Sequence, residues 1–280
     1  MAPPATMTAI PDFPNCLDAQ AAAWFSEAQI KLAEEPTKAL PVLLPQLPRR
    51  LGRQSFVGGV HDVAGIQIDL AVWRRCDVGA LTLLEAASTS EPQRLDLYYH
   101  GDLEEKTMLF RSMACMPISD VTITLLGEAQ RTNTGDHFEA AVCDSNLLVR
   151  ATQDGAFSQQ EFNRTVLKVA FTDLAFPRLL GAATQANEEL SRMLQDLATE
   201  REAAGRRVWR DTNRVIAYAP TLGSLARLAG GLEHGDDAQR LAAAEGVALV
   251  QDQTLKAMAR ERIEREPVAA IRDALTAATQ

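Results

Sequence analysis

His100-Gly101-Asp102-Leu103-Glu104-Glu105-Lys106 has a counterpart in His234-Gly235-Asp236-Asp237-Ala238-Gln239-Arg240. In both, His-Gly-Asp leads to a base four residues after the Asp and then into an apolar or Ala-rich run, 103–116 and 238–250. The order reads as one helix stopping and the next starting. Gly can take the left-handed conformation that closes a helix, and Asp accepts hydrogen bonds from the free N–H groups that open one. The Asp charge also suits the positive end of the new helix. His and Asp together could be half of a metal site, but capping already accounts for both residues. The two phrases begin 134 residues apart, at 100 and 234. That leaves room for about three hairpins of the ~40–47 residues usual in HEAT-like units. The expectation is an all-α fold, a HEAT-like helical-repeat (α-solenoid) array of antiparallel helix pairs. Such arrays build grooves for partners more often than self-contained catalytic centres.

Around these corners the chain reads as further helices. The apolar set Leu190, Met193, Leu194, Leu197 and Ala198 falls at i, i+3, i+4, i+7, i+8, with Asn187 placed to cap it and Gly205 to close it. Other helices are expected over 16–35, 77–88, 92–100, 102–116, 119–132, 136–151, 158–174, 212–228, 237–250, 253–265 and 268–278. Prolines 36, 41, 45 and 48 punctuate a short apolar run, and glycines 52, 58, 59 and 65 make 50–66 loop-like. Two fragments carry a strand signal. Ile66-Gln67-Ile68-Asp69-Leu70 alternates but has no visible partner, and β-branched Val121-Thr122-Ile123-Thr124 is kept helical because it sits where a second helix belongs. Residues 1–14 read as a disordered leader, 15–208 as the main helical domain and 209–280 as a C-terminal helical extension.

Composition narrows the function. With 280 residues, 46% apolar and 23% charged, the chain can bury a substantial core. A net charge of −9 excludes a general nucleic-acid binder, whose affinity comes from neutralising phosphates. Cys16, Cys76, Cys115 and Cys143 form no C-x-x-C pair, which fits a reducing cytoplasm, and no stretch approaches the ~20 apolar residues that span a bilayer. Peripheral membrane contact stays open. His61, His100, His137 and His234 show no H-x-x-x-H spacing, and there is no G-x-S-x-G elbow. No cofactor or metal is expected, and no catalytic residue is assigned.

An ordered series of phrases resembles the EboA family: Trp73-Arg74 with Asp77, Tyr99 with Gly101-Asp102 and Glu105-Lys106, and Arg131-Thr132-Asn133 before Phe138-Glu139-Ala140. Phe162-Asn163-Arg164 with Val166-Leu167-Lys168, then Arg192-Met193-Leu194 leading to Glu200-Arg201 and Gly205-Arg206, continue it, so the resemblance covers about 16–208. It implies a setting among a UbiA-type prenyltransferase, a TatD-like hydrolase and a sugar-phosphate cyclase, hence a prenylated cyclitol-like metabolite. It carries no catalytic residues.

Three groups of residues are ligand-binding candidates. Arg164 and Lys168, at i and i+4, share a helix face where a phosphate could sit between them, although carboxylates from a neighbouring hairpin would serve as well. Arg131, Asn133 and Glu139 stand at a helix junction, with a capping box from Asp136 to Glu139 as the structural alternative. Trp73 and Asp77 with Arg74 form another corner, where a Trp is more often a wedge. The basic cluster Arg201, Arg206, Arg207, Arg210 and Arg214 reads as a solvated helix end. The expected function is a non-catalytic binding or scaffold component of such a pathway, contacting its proteins and a phosphorylated or prenylated small molecule. The alternative is a pathway enzyme using Arg164, Lys168, Arg131 and Glu139 in a concave groove.

Overall fold

The computed structural model describes residues 13–56 and 58–280, predominantly helical with one two-stranded hairpin. It divides into two compact units, residues 1–157 and 158–280. The boundary expected at 208/209 therefore falls inside the second unit. Residues 1–12 of the expected leader lie outside the described residues; from Phe13 the chain forms a 3-10 turn, Phe13–Cys16, with the Phe13 ring buried against Phe25.

In the first unit, Asp18 caps α1 (Ala19–Glu34) by accepting from the Ala21 N–H at 2.8 Å, and Ala21, Phe25, Ala28 and Leu32 form its buried stripe. The proline-punctuated run is helical rather than irregular: α2 (Pro36–Leu43), a 3-10 turn (Leu44–Gln46) and α3 (Leu47–Arg50). The physical reason is position. Pro36, Pro45 and Pro48 each occupy a first or second helical position, where a missing N–H costs nothing, and of the four prolines Pro41 alone lies inside a helix, α2.

The glycine-rich stretch that reads as loop supplies the missing strand partner. β1 (Val60–Val63) pairs antiparallel with β2 (Ile66–Asp69), Val63 opposite Ile66, across a turn at Ala64 and Gly65 whose φ values, 54° and 83°, are both positive. Such a two-residue turn follows the right-handed twist of a hairpin.

Next come α4 (Arg75–Ala86), buried along most of its length, α5 (Glu91–His100), α6 (Leu103–Met113), α7 (Asp120–Arg131), α8 (Gly135–Val142) and α9 (Leu147–Gln153). The β-branched segment 121–124 lies in α7, where Ser119 caps the Thr122 N–H. The single helix expected over 136–151 is broken at residues 143–146, which bond to β2 instead. The Asp69 N–H donates to the Asp144 carbonyl, the Gln67 N–H donates to Asn146 Oδ1 at 3.0 Å, and Asn146 Nδ2 donates to the Gly65 carbonyl at 2.8 Å.

Both His-Gly-Asp phrases are helix corners. Asp102 Oδ1 accepts from the Glu105 N–H, and Glu105 reaches back to the Asp102 N–H, a full capping box on α6. The glycines do not close helices by left-handed turning, however. Gly101 is extended (φ −69°), and Gly235 is absent from the positive-φ glycines. What Gly101 supplies is closeness, since a Cβ there would stand 2.7 Å from the Leu97 carbonyl oxygen.

The second unit contains α10 (Gln159–Phe171), α11 (Glu188–Ala203), α12 (Thr212–Tyr218), α13 (Ser224–Leu232), α14 (Asp237–Leu249), α15 (Gln253–Ile263) and α16 (Ala269–Ala278). Asn187 caps α11 through the Leu190 N–H, and Gly205 at φ +63° follows its end, both as the sequence predicts. The helix expected over 212–228 is interrupted between α12 and α13, where Pro220 lacks an N–H and Gly223 turns at φ +93°. Leu228, Leu232, Ala243, Val247, Leu255, Ile271 and Leu275 form the core that α13 to α16 share.

Candidate functional site

The sequence-chosen residues take unlike places. Trp73 and Asp77 are buried. Asp77 accepts from the Arg74 main-chain N–H at 2.8 Å and from the Arg74 guanidinium at 2.8 Å, while Arg74 also reaches Glu104 at 2.7 Å. Arg53 meets the same Glu104 at 2.8 Å, and Arg111 approaches Asp77 to 3.5 Å. Burial works against the Arg74 charge, but Asp77 outweighs it and holds the guanidinium above its ordinary pKa. Beside it, burial and the Asp77 charge push the Cys76 thiol up to about 12, so it is a poor nucleophile. This corner is a closed charge network that fixes the start of α4.

Arg131 is exposed and paired with Glu128 at 2.6 Å, and Asn133 is exposed beside it. The expected capping box from Asp136 to Glu139 does not form. α8 begins one residue earlier, at Gly135, so Asp136 lies inside the helix and Glu139 falls half-buried a turn further on. Arg164 is exposed on α10 and Lys168 half-buried, with burial lowering the lysine's pKa. None of these seven residues lines any of the larger cavities found among the described residues. The basic cluster is largely neutralised: Asp173 takes Arg207 and Arg210, while Arg214 pairs with Asp211 and Glu245.

The cavity that sequence reasoning missed lies in the first unit and measures about 530 Å³, within the range of small-molecule sites. One wall is the hairpin turn with Ala64 and Ile66; another is the C-terminal end of α4 with Leu84, Glu85 and Ser88. Thr89, Arg94 from α5, the segment 115–117 and Arg150 from α9 complete it. Arg94 donates through Nε and Nη2 to the Thr89 carbonyl at 3.2 and 2.9 Å. Arg150 donates to the carbonyls of Ala114 and Met116 at 2.7 and 2.8 Å, and burial lowers its pKa. Among the described residues neither guanidinium stands within ion-pair distance of a carboxylate. Cys115 opens onto the same space, but burial raises its thiol pKa far beyond the reactive range. Among the described residues four non-glycines have positive φ, and two of them, Ala64 and Ser88 (φ 48°), line this cavity.

A second cavity of about 590 Å³ lies in the second unit among α11, α13 and the start of α14, with Arg192, Arg227, Asn213 and Gln239 in its walls. There Arg227 is held by Glu202 at 2.8 Å and Arg192 by Glu189 at 2.8 Å. Its guanidiniums are therefore already answered by carboxylates, unlike those of the first.

The model of the EboA family, described as metabolite traffic protein EboA, matches residues 13–217. No curated protein and no solved structure matches the chain. The match takes in most of the sequence, including every residue of the first cavity, and the chain belongs to the EboA family.

Proposed function

We propose that this EboA-family chain serves metabolite traffic by holding a small molecule in the first-unit cavity without transforming it, as a binding or scaffold component of a secondary-metabolite pathway. The observation that carries this reading is the cavity itself. It has ligand size and aliphatic walls from Ile66, Leu84 and Met116, with two guanidiniums that are not consumed by ion pairs, all inside the family-matched residues. Its nucleophile candidate, Cys115, is held protonated by burial, which favours holding over reacting. The helix corners at Asp102 and Asp236 support a HEAT-like repeat as the scaffold, since each begins a helix that packs back within its own unit. The prenylated cyclitol-like cargo and the pathway proteins implied by the resemblance remain the proposed partners.

The test is to purify the protein from cells that make the pathway's products, release bound small molecules and identify them by mass spectrometry. Wild type should yield a ligand that Met116→Trp, which fills the cavity, does not. Recovery of the same ligand from the filled variant, or turnover of that ligand by the isolated protein, would overturn the reading.

A further inference from the structure

The ligand class can be named from the cavity's charge, an inference that rests on the binding reading above. We infer that the first-unit cavity takes a molecule with an anionic head, a phosphate or carboxylate, joined to an aliphatic body. Arg94 and Arg150 hold the head, and Ile66, Leu84 and Met116 receive the body.

The charge argument starts from the lining. It contains two guanidiniums and one carboxylate, Glu85, in a chain whose overall charge is −9. A local positive excess against such a background is unusual and favours an anion. Arg150 meets the carbonyl end of α6 through Ala114 and Met116, and Arg94 bonds the Thr89 carbonyl in the connection between α4 and α5. A guanidinium has five N–H donors. Nη1 of Arg94 and Nε of Arg150 make no hydrogen bond among the described residues, so each fork keeps donors for a ligand. Carbonyl bonds fix the forks in orientation without cancelling their charge, the preorganisation that recognition of an oxyanion needs.

The lining divides the ligand: Ile66, Leu84 and Met116 face its aliphatic body, while the polar groups of the wall, the two arginines with Glu85, Ser88 and Thr89, are left for its head.

Octyl phosphate, octyl glucoside and inorganic phosphate, each titrated calorimetrically into the full chain, separate the contributions. Octyl phosphate should bind at least tenfold more tightly than either of the others. Arg94→Gln, which leaves the Arg150 caps on α6 intact, should weaken octyl phosphate by at least tenfold while leaving octyl glucoside unchanged and the far-ultraviolet spectrum native. Arg150→Lys keeps the charge but loses the fork, and should give a smaller loss. Met116→Trp should abolish binding of both amphiphiles. Equal affinity for the two amphiphiles, or no effect of Arg94→Gln, would overturn the anionic head while leaving a binding cavity. Octyl phosphate binding that survives Met116→Trp would place the ligand elsewhere and overturn the assignment. Failure of both amphiphiles to bind would sink the binding reading along with it.

Discussion

The two His-Gly-Asp corners start helices by the same means and then diverge. Asp102 and Asp236 each accept from N–H groups of the following turn. Four residues on, Lys106 lies half-buried, its ammonium 5.2 Å from the centre of the Tyr98 ring. Arg240 is buried, with Nε 2.8 Å from Glu266, a second nitrogen 2.7 Å from Asp237, and a third on the carbonyls of His234 and Gly235. The histidines part as well: His100 turns back to its own helix at Asp96, whereas His234 Nδ1 accepts from the Asp236 N–H. A cap is a contract within one turn of chain, and the sequence phrase specifies only that. What becomes of the base depends on which distant helix covers it, here the segment after α15 that carries Glu266.

The largest break in the likeness should come at Glu266. Its side chain is fully buried, hydrogen-bonded to Arg240 and Arg262 and to the Val268 N–H. Those partners hold its carboxyl at about 2, against an ordinary 4.5, despite the opposing effect of burial. A depressed folded-state value means the carboxylate stabilises the fold at neutral pH, and the contribution disappears as pH falls from about 4.5 towards 2. Glu266→Ala should cost about 3 kcal/mol, because it leaves the buried Arg240 guanidinium with only the exposed Asp237 carboxylate as its ion-pair partner. Urea unfolding at pH 7 and pH 3 should show the difference between wild type and variant shrinking at the lower pH. The double variant Arg240→Met with Glu266→Leu should recover to within about 2 kcal/mol of wild type. A single variant as stable as wild type at pH 7 would mean that the pair adds nothing.

Capping was legible in the sequence because it is local. Asp18, Ser119, Ser158 and Asn187 all cap where helices were expected to begin or within a few residues of it. The interruptions were not legible, because their cause lies far along the chain. Asn146 breaks the helix between α8 and α9 by bonding residues 79 and 81 positions away, and its own neighbours give no sign of this. The hairpin was half-legible: Ile66 to Leu70 alternates, but β1 hides among glycines whose spacing reads as loop. The cavity arginines left no trace at all. Arg94 belongs to no motif, and Arg150 meets carbonyls 36 and 34 residues earlier. The corners that the sequence did pick out, at Arg74 with Asp77 and at Arg131, hold charges that are paired within the protein. Spacing within a helix finds partners along that helix, whereas a ligand site is assembled from several elements.

The glycines sharpen the comparison at a smaller scale. A Cβ on Gly101 would lie 2.7 Å from the Leu97 carbonyl oxygen and 3.1 Å from the Glu105 Cβ, while one on Gly235 would meet nothing within 4 Å. Gly101→Ala forces main chain to move and should cost about 1–2 kcal/mol; Gly235→Ala should lie within about 0.5 kcal/mol of wild type. Midpoints of urea unfolding for the two variants measure this directly. Equal losses at both sites would mean that glycine is required for its conformation and not for the close approach seen only at the first corner.

The smallest expected effect concerns Lys106 itself. An ammonium over an aromatic face at a partly exposed site contributes about 0.5–1 kcal/mol, far below the cost of opening the Arg240 pair. Lys106→Ala should lose that much, but the loss has two possible origins, the charge over the Tyr98 ring or the aliphatic stem packed along it. Lys106→Met keeps the stem and removes the charge. If the charge matters, Met should be about as unstable as Ala, and the gap between Lys and Met should narrow in 1 M salt. If Met restores full stability, the base at this corner is only a hydrophobic spacer, and the second corner alone uses the shared position electrostatically.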